Sequence, residues 1–184
     1  LVEGHAILVP TGPETRYQLT PELIEQHWDS DCVAVLAALP ANPTGTLLER
    51  DELAAMSATC RRLGAELIVD EIYHGLTYGV DACSVLNVAD DAFVLNSFSK
   101  YFGMTGWRLG WLVAPREAVP ALEKLAQNLY ICAPHMAQQA ALAAFNEQSR
   151  EICEVRREAF QARRDFLLPA LRELGFSIPE TPQG

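Results

Sequence analysis

The stretch VLNSFSKYFGMTGWRLGW, residues 94–111, starts as an apolar strand and then turns polar at Ser97, Ser99 and Lys100. A short apolar run that ends in polar residues is typical of a strand that leads into a loop. A second apolar run, RLGWLVAP, starts at Arg108 and predicts the next strand. The polar segment between the two strands is either a solvated turn or part of a binding site, and the rest of the chain decides between these interpretations.

Three more apolar runs come earlier in the chain and alternate with amphipathic segments. They predict strands at HAILVP (5–10), CVAVLAAL (32–39) and ELIVDEIY (66–73), and helices at 20–28, 49–63 and 116–129. Strands that alternate with helices form βαβ units, in which helices cover a mostly parallel sheet. The sequence therefore predicts an α/β fold of three layers, α/β/α.

The pattern changes after Pro134, where a long helical tract runs to a helix-stop signal at Gly175. We expect residues 1–133 to form a large α/β domain, 134–175 a helical link, and 176–184 the start of a small C-terminal domain. The sequence begins without Met and stops at ETPQG, so we expect it to be a piece of a longer protein.

Composition and charge narrow the classes of function. The chain has 184 residues, is 49% hydrophobic and carries a formal net charge of −10. Such an acidic chain disfavours a nucleic-acid partner, and no apolar run is long enough to span a membrane. We therefore expect chemistry on small molecules.

The cysteines and histidines predict neither disulfides nor a metal site. The five cysteines lie far apart and include no C-x-x-C pair, and the four histidines lack the spacing of metal ligands. Unpaired cysteines are usual in a reducing compartment, so we expect a cytoplasmic protein.

Polar residues follow three of the predicted strands. Asn42 lies in the turn NPTG, Asp70 and Tyr73 lie in DEIY, and Lys100 closes SFSK. Each motif alone has an ordinary explanation as a turn, a helix N-cap or a solvated lysine. In a mostly parallel sheet, however, the carboxyl ends of the strands border one ligand crevice.

One cofactor needs all of these groups. Pyridoxal 5'-phosphate forms a Schiff base with a lysine and requires an acid at its pyridine nitrogen, and its phosphate favours hydroxyls and a guanidinium. The order of NPTG (42–45), DEIY (70–73), SFSK (97–100) and RLG (108–110) resembles the class I and II aminotransferases, a family of fold-type-I pyridoxal-phosphate enzymes. The resemblance covers nearly the whole chain and implies the family's large domain.

The resemblance implies a role for each matching residue. Lys100 would hold the cofactor and then move the proton of the substrate carbon, while Asp70 would pair with the pyridinium nitrogen. Tyr73 and Asn42 would bind the ring oxygen, and Tyr73 is counted with Lys100 and Asp70 as catalytic.

The phosphate would be held by Ser97, Ser99 and Arg108. The resemblance also implies parts that these 184 residues do not supply, namely a helix N-terminus for the phosphate, an aromatic side chain stacked on the ring and an arginine for the substrate carboxylate. We therefore expect the isolated chain to be inactive.

The expected activity is transfer of an amino group from an amino acid to a 2-oxo acid. The resemblance also implies that the whole protein is a homodimer. Two alternatives stay open at this point. One is a sibling reaction, such as β-elimination or decarboxylation, because the same lysine and acid serve any carbanion chemistry. The other is an aminotransferase-like regulatory domain attached to a DNA-binding domain.

Overall fold

The computed structural model describes residues 4–184. Short 3-10 turns occur at Pro13–Thr15, Val85–Asn87 and Thr105–Trp107. The helices and strands are, in chain order, α1 (Pro21–His27), β1 (Ala34–Ala38), α2 (Arg50–Leu63), β2 (Glu66–Asp70), β3 (Phe93–Ser97), β4 (Gly110–Val113), α3 (Val119–Leu129), α4 (His135–Ala144) and α5 (Glu147–Glu173).

The strands form one sheet in the order β1-β2-β3-β4. β1, β2 and β3 are parallel, and β4 runs antiparallel to β3 with Ser97 opposite Gly110. The crossover from β1 to β2 is made by α2, as expected for a βαβ unit. The predicted α/β class with a mostly parallel sheet is confirmed.

The sequence of α2 explains why this segment is a helix and which face it buries. Glu49 and Glu52 form a capping box at its start, and Gly64 ends it in the left-handed conformation. Leu53, Met56 and Cys60, spaced three and four residues apart, are buried against the sheet. This contact forms the main hydrophobic core.

The two faces of the sheet differ in burial. On one face Ala37, Val69 and Val94 lie in the main core under α2. The alternate residues point to the other face, where Leu36 and Leu95 are exposed within residues 4–184. Asp70 belongs to this second face, because it lies opposite Leu95 in the register.

The predicted strand at HAILVP (5–10) is wrong. This segment is irregular, it pairs with none of the described strands, and Leu8 is 88% exposed. An apolar run is stable as a strand only where a neighbouring strand satisfies its backbone groups, and no described segment does so here.

The predicted helical tract is two helices rather than one. The chain leaves α4 at Phe145, and Asn146 caps α5 by accepting a hydrogen bond from the backbone N–H of Ser149 at 2.7 Å. An N-cap residue of this type starts a new helix even where the apolar pattern continues. The predicted stop is confirmed, because α5 ends at Glu173 and Gly175 has a φ of +87°.

A second, smaller cluster joins the loop after β3 to α4. Phe98 is buried against Ala141 and Ala144, with Phe102 and Leu109 packed at its edge. This cluster attaches the segment after β3 to the C-terminal helices. None of the helices between residues 4 and 184 is both long enough and apolar enough to cross a membrane.

Candidate active site

The polar residues predicted from the motifs collect at one edge of the sheet. Asp70 is the last residue of β2, Ser97 is the last residue of β3, and Asn42 follows the end of β1. Because these strands are parallel and adjacent, their carboxyl ends lie side by side. The arrangement therefore groups the candidate residues as the sequence predicts.

Asn42 and Tyr73 are in direct contact. The Asn42 Nδ2 donates a hydrogen bond to the Tyr73 hydroxyl oxygen at 3.2 Å. Asn42 is exposed and Tyr73 is half-buried, so both polar groups border open space. Together they can present an amide N–H and a phenol to the same ligand oxygen.

The turn that carries Asn42 is held by residues far away in the chain. The buried Gln18 donates from Nε2 to the Thr46 carbonyl oxygen at 2.8 Å and to its hydroxyl at 3.0 Å. The Gly45 carbonyl accepts hydrogen bonds from the backbone N–H groups of Gln183 and Gly184, at 2.7 and 3.0 Å. Gly45 has a φ of +67°, and a Cβ there would lie 2.5 Å from the Gly184 carbonyl oxygen, so a larger residue does not fit.

Lys100 lies beside Tyr73. Its Nζ is 5.1 Å from the centre of the Tyr73 ring, and the residue is half-buried. An ammonium at this distance is attracted by the ring electrons, while the neutral amine is free to act as a nucleophile. The structure therefore brings Lys100, Tyr73 and Asn42 together in one group.

Asp70 is half-buried at the same edge. Its Oδ1 accepts a hydrogen bond from the backbone N–H of Ile72 at 3.0 Å, which fixes the carboxylate at the start of the following turn. Within residues 4–184 it forms no hydrogen bond with another candidate side chain. The Asp70 carboxylate can therefore still accept a hydrogen bond from a protonated group of a ligand.

Ser97 and Ser99 form a small hydroxyl pair. The Ser97 Oγ donates to the Ser99 Oγ at 2.9 Å, and it also lies 3.1 Å from the Leu109 carbonyl oxygen. The backbone N–H of Ser99 donates to the Ser97 Oγ at 3.0 Å. These bonds fold the chain after β3 tightly back on itself, with both hydroxyls half-buried.

Arg108 is connected to this pair through the backbone. Its Nη1 donates to the Thr105 carbonyl oxygen at 2.9 Å, and the Thr105 hydroxyl donates to the Ser99 carbonyl oxygen at 2.6 Å. Arg108 has a φ of +53°, a left-handed conformation uncommon for a residue other than glycine. Its exposed guanidinium and the nearby hydroxyls are the donor types that bind phosphate.

Glu71, the buried acid that follows Asp70 in the chain, anchors the start of the Tyr73 turn to the loop before β3. The Glu71 Oε1 accepts hydrogen bonds from the Ser84 hydroxyl at 3.0 Å and from the backbone N–H of Val85 at 2.8 Å. Its Oε2 lies 3.4 Å from the Nδ1 of His74. Burial lowers the pKa of His74, and the Glu71 charge acts in the opposite direction.

A second supporting group follows Lys100 directly. The Tyr101 hydroxyl donates to the Glu154 Oε1 on α5 at 2.6 Å. Burial and the bond to this carboxylate raise the pKa of Tyr101 to about 12. The phenol therefore stays protonated at neutral pH and remains a hydrogen-bond donor.

Sequence reasoning missed the supporting residues Gln18, Glu71, Tyr101 and Glu154. Glu71 and Tyr101 adjoin predicted site residues in the chain, and that adjacency is the signal that could have indicated them. Gln18 and Glu154 lie in no motif, so no local pattern pointed to them.

No group of three His, Cys, Asp or Glu side chains in the described part of the chain could hold a metal ion.

The chain matches known proteins over its full length. The family model for aminotransferase class I and II matches residues 1–184. The valine–pyruvate aminotransferase of Mycobacterium tuberculosis is 40% identical over 169 residues, which are 91% of this chain and 43% of that protein. The aspartate aminotransferase of Geobacillus stearothermophilus is 30% identical over 190 residues, covering 100% of this chain and 48% of that protein.

Solved structures share the fold. An aminotransferase from Mycobacterium tuberculosis superimposes with a TM-score of 0.87 at 37% identity, over 95% of this chain and 48% of that one. The aspartate aminotransferase of Thermus thermophilus with maleate gives a TM-score of 0.87 at 32% identity, over 94% of this chain and 46% of that one. The chain thus spans about half the length of the relatives that it matches, and it belongs to the aminotransferase class I and II family.

Proposed function

We propose that the protein carrying this chain is a pyridoxal-phosphate-dependent aminotransferase that moves an amino group from an amino acid to a 2-oxo acid. The observation that carries the proposal is the group formed by Lys100, Tyr73 and Asn42, with an amine 5.1 Å from a phenol ring whose hydroxyl receives a hydrogen bond at 3.2 Å. The family of the chain and the aminotransferase names of its relatives support the same reaction class.

The residues present fit pyridoxal 5'-phosphate by their chemistry. The cofactor has an aldehyde, a ring oxygen, a ring nitrogen and a phosphate, and each has a candidate partner at the same edge of the sheet. Lys100 supplies an amine for the aldehyde carbon, while Tyr73 and Asn42 supply donors for the ring oxygen. Asp70 supplies a carboxylate for the protonated ring nitrogen.

The phosphate partners are Ser97, Ser99 and Arg108. Two adjacent hydroxyls and an exposed guanidinium on one tight loop are donors that favour a dianion. Their backbone links through Thr105 keep the donors in a fixed relation before any ligand binds. We propose that this loop binds the phosphate.

The chemistry divides between the cofactor and the chain. When bound, the cofactor supplies a carbonyl that takes up the amino group and a positively charged ring that withdraws electrons. Lys100, once its amine is free, would take the proton from the substrate carbon and deliver it to the cofactor carbon that receives the amino group. Asp70 would place its carboxylate at the ring nitrogen and help to keep that nitrogen protonated, which would favour loss of the substrate proton.

We further propose the organisation that the sequence predicts. Residues 1–133 would form the cofactor-binding domain, 134–175 the helical link and 176–184 the start of a small domain. Exposed apolar side chains on α3 and α4, among them Leu125, Leu129 and Leu142, support a homodimer of the whole protein. The free cysteines support a cytoplasmic location.

The test compares the only two lysines of the chain, Lys100 and Lys124. In the whole protein, borohydride should fix the cofactor to Lys100, and Lys100→Ala should abolish both this attachment and turnover. Lys124→Ala removes an exposed lysine of α3 and should change neither. Cofactor that is still covalently attached in Lys100→Ala would show that another residue is the tether.

Substrate trials on the whole protein separate the proposed reaction from its alternatives. An aminotransferase converts a 2-oxo acid into an amino acid with no loss of carbon. Release of carbon dioxide or of a β-substituent, without amino transfer, would replace the proposed reaction with a sibling reaction. Cofactor binding without any turnover, together with specific DNA binding, would indicate the regulatory alternative. The isolated chain, which spans about half of its relatives, should show no transfer.

A further inference from the structure

Two loops carry Lys100 and Tyr73, and both contact α5. The Lys100 loop, residues 98–109, follows β3, and the Tyr73 loop, residues 71–79, follows β2. The Tyr101 hydroxyl, next to Lys100 in the chain, donates to the Glu154 Oε1 at 2.6 Å. This bond attaches the Lys100 loop to α5.

The same carboxylate is connected to the Tyr73 loop. The Glu154 Oε2 accepts a hydrogen bond from the Nε of Arg157 at 2.7 Å. The Nη1 of Arg157 donates to the carbonyl oxygen of Thr77, at 3.3 Å. Glu154 therefore receives one bond from each of the residues that hold the two loops.

The loops also touch each other directly. A Cβ at Gly75 would lie 2.6 Å from the Cδ2 atom of Tyr101, so the phenol ring rests against the backbone of the Tyr73 loop. Gly75 has a φ of +91°, which glycine adopts without strain. Two turns hold the Tyr73 loop compact, through bonds from Leu76 N–H to the Tyr73 carbonyl and from His74 N–H to the Glu71 carbonyl, at 3.0 and 2.9 Å.

A pair of Glu154 and Arg157 on one helix face is by itself an ordinary feature. Such pairs three residues apart stabilise a helix only slightly when they are partly exposed, as this one is. The unusual feature is that each partner has a second bond outside the helix. Those bonds span 53 residues for Tyr101 and 80 residues for Thr77.

We propose that Glu154 is a positioning residue that ties the Lys100 loop to the Tyr73 loop, so that the Lys100 amine keeps its place beside the Tyr73 ring. The inference rests on the proposed function, in which Lys100 and Tyr73 work on the same cofactor. Glu154 acts through Tyr101 and Arg157 and touches no reacting atom. Its loss should affect how the amine is held rather than whether the protein binds an amino acid.

The test uses the whole protein loaded with pyridoxal 5'-phosphate. Glu154→Ala removes the acceptor of both bonds, and Tyr101→Phe removes one bond but keeps the ring against Gly75. We expect Glu154→Ala to lower kcat by about 10-fold or more, as for the loss of a hydrogen bond to a charged group. KM should stay close to that of the wild type. The pH midpoint of the visible absorbance change of the bound cofactor should shift.

A double variant tests whether Tyr101 acts through its bond to Glu154. If Tyr101 acts through Glu154, Tyr101→Phe should have no further effect in the Glu154→Ala background, because the bond is already lost. The matched control is Glu151→Ala, an exposed glutamate one turn earlier on α5, and it should leave kcat, KM and the midpoint unchanged. If Glu154→Ala does not fold, Tyr101→Phe alone, which removes only the bond to Glu154, is measured in the same way and should lower kcat with KM unchanged.

A readout without cofactor separates this inference from the proposed function. In the cofactor-free protein, hydrogen exchange should speed up in both loops of Glu154→Ala and in neither loop of Glu151→Ala. A variant that melts at a lower temperature but keeps the wild-type kcat, midpoint and loop exchange would overturn the inference and leave the proposed function intact. A wild-type protein with no amino transfer would overturn the proposed function, and the positioning role would fall with it.

Discussion

Beneath α2, Leu53, Met56 and Val69 are fully excluded from solvent and lie inside the main hydrophobic core. Around the Lys100 loop the packing is different, because Phe98 is buried while its neighbour Phe145 is 55% exposed. The rings of this second region meet at edges and tilts, with centroids 5.0 to 5.6 Å apart. The first region is a closed core and the second is a partly open cluster.

The difference shows how the molecule separates stability from positioning. Burial of apolar surface is non-directional, so the main core stabilises the sheet without fixing any one side chain to fractions of an ångström. The Lys100 loop depends on directional contacts, such as the bonds of Ser97 to Ser99 and of Tyr101 to Glu154. Substitutions in the core should therefore change the unfolding free energy, and substitutions at the site should change turnover.

The largest expected effect is at Asp70. Asp70→Asn keeps an oxygen that can accept the bond from Ile72, so the melting temperature should hardly change. Turnover of the whole protein should fall by about 10³-fold, the scale for losing a group that stabilises charge in the transition state. The control is Asp81→Asn, an exposed acid in the loop between β2 and β3. Near-normal turnover of Asp70→Asn would break the separation, because the site would then not depend on its acid.

Leu53 tests the other side of the comparison. Leu53→Ala removes a fully buried side chain of α2 and should lower the free energy of unfolding by about 2 to 5 kcal/mol. Leu53→Met keeps the volume and should cost less than about 1.5 kcal/mol. Denaturant unfolding measures both variants. If Leu53→Ala lowered the kcat of the folded protein as strongly as Asp70→Asn, the core would also be part of the positioning machinery.

Sequence patterns predicted much of the fold, since strands β1 to β4 and helix α2 carry their own apolar periodicity and end signals. The segment at HAILVP was predicted wrongly, because its apolar alternation describes a strand but cannot supply a partner. That Asn42, Asp70 and the loop carrying Lys100 follow the carboxyl ends of adjacent parallel strands could be predicted, because such ends lie at a common edge. The bond between Tyr101 and Glu154 could not, because residues 53 apart meet only through the packing of a whole helix.

Gly75 lies where the Lys100 loop and the Tyr73 loop touch, and its substitution should lower kcat less than Asp70→Asn does. Gly75→Ala forces a residue with a Cβ into a φ of +91° and into the Tyr101 ring. The matched control is Gly79→Ala, which has a φ of +77° but no atom within 4 Å of the added Cβ. Both variants carry backbone strain of about 1 to 2 kcal/mol, and only Gly75→Ala should also lower kcat. Equal kcat values in the two variants would show that the ring contact has no effect on the site.

The smallest expected effect is a pH dependence of stability at His74. Burial lowers the pKa of His74 in the folded protein, so the unfolded chain takes up a proton first as the pH falls. The stability contributed by neutral His74 is therefore present above its unfolded pKa of about 6.5 and is lost as the pH falls through the folded value. Plots of melting temperature against pH for the wild type and for His74→Gln should converge or cross below about pH 6.5. Two parallel melting profiles down to about pH 5 would contradict this assignment.

The hydrogen bonds from Gln183 and Gly184 to the Gly45 carbonyl determine when the turn that carries Asn42 can be completed during synthesis. A chain leaves the ribosome from its N-terminus, so the sheet strands and α2 emerge long before residue 184. During that interval the turn carrying Asn42 lacks two of its backbone partners, although Gln18 already holds Thr46. The turn carrying Asn42 consequently gains these two backbone partners only after residues 183 and 184 have emerged, later than the strands of the sheet.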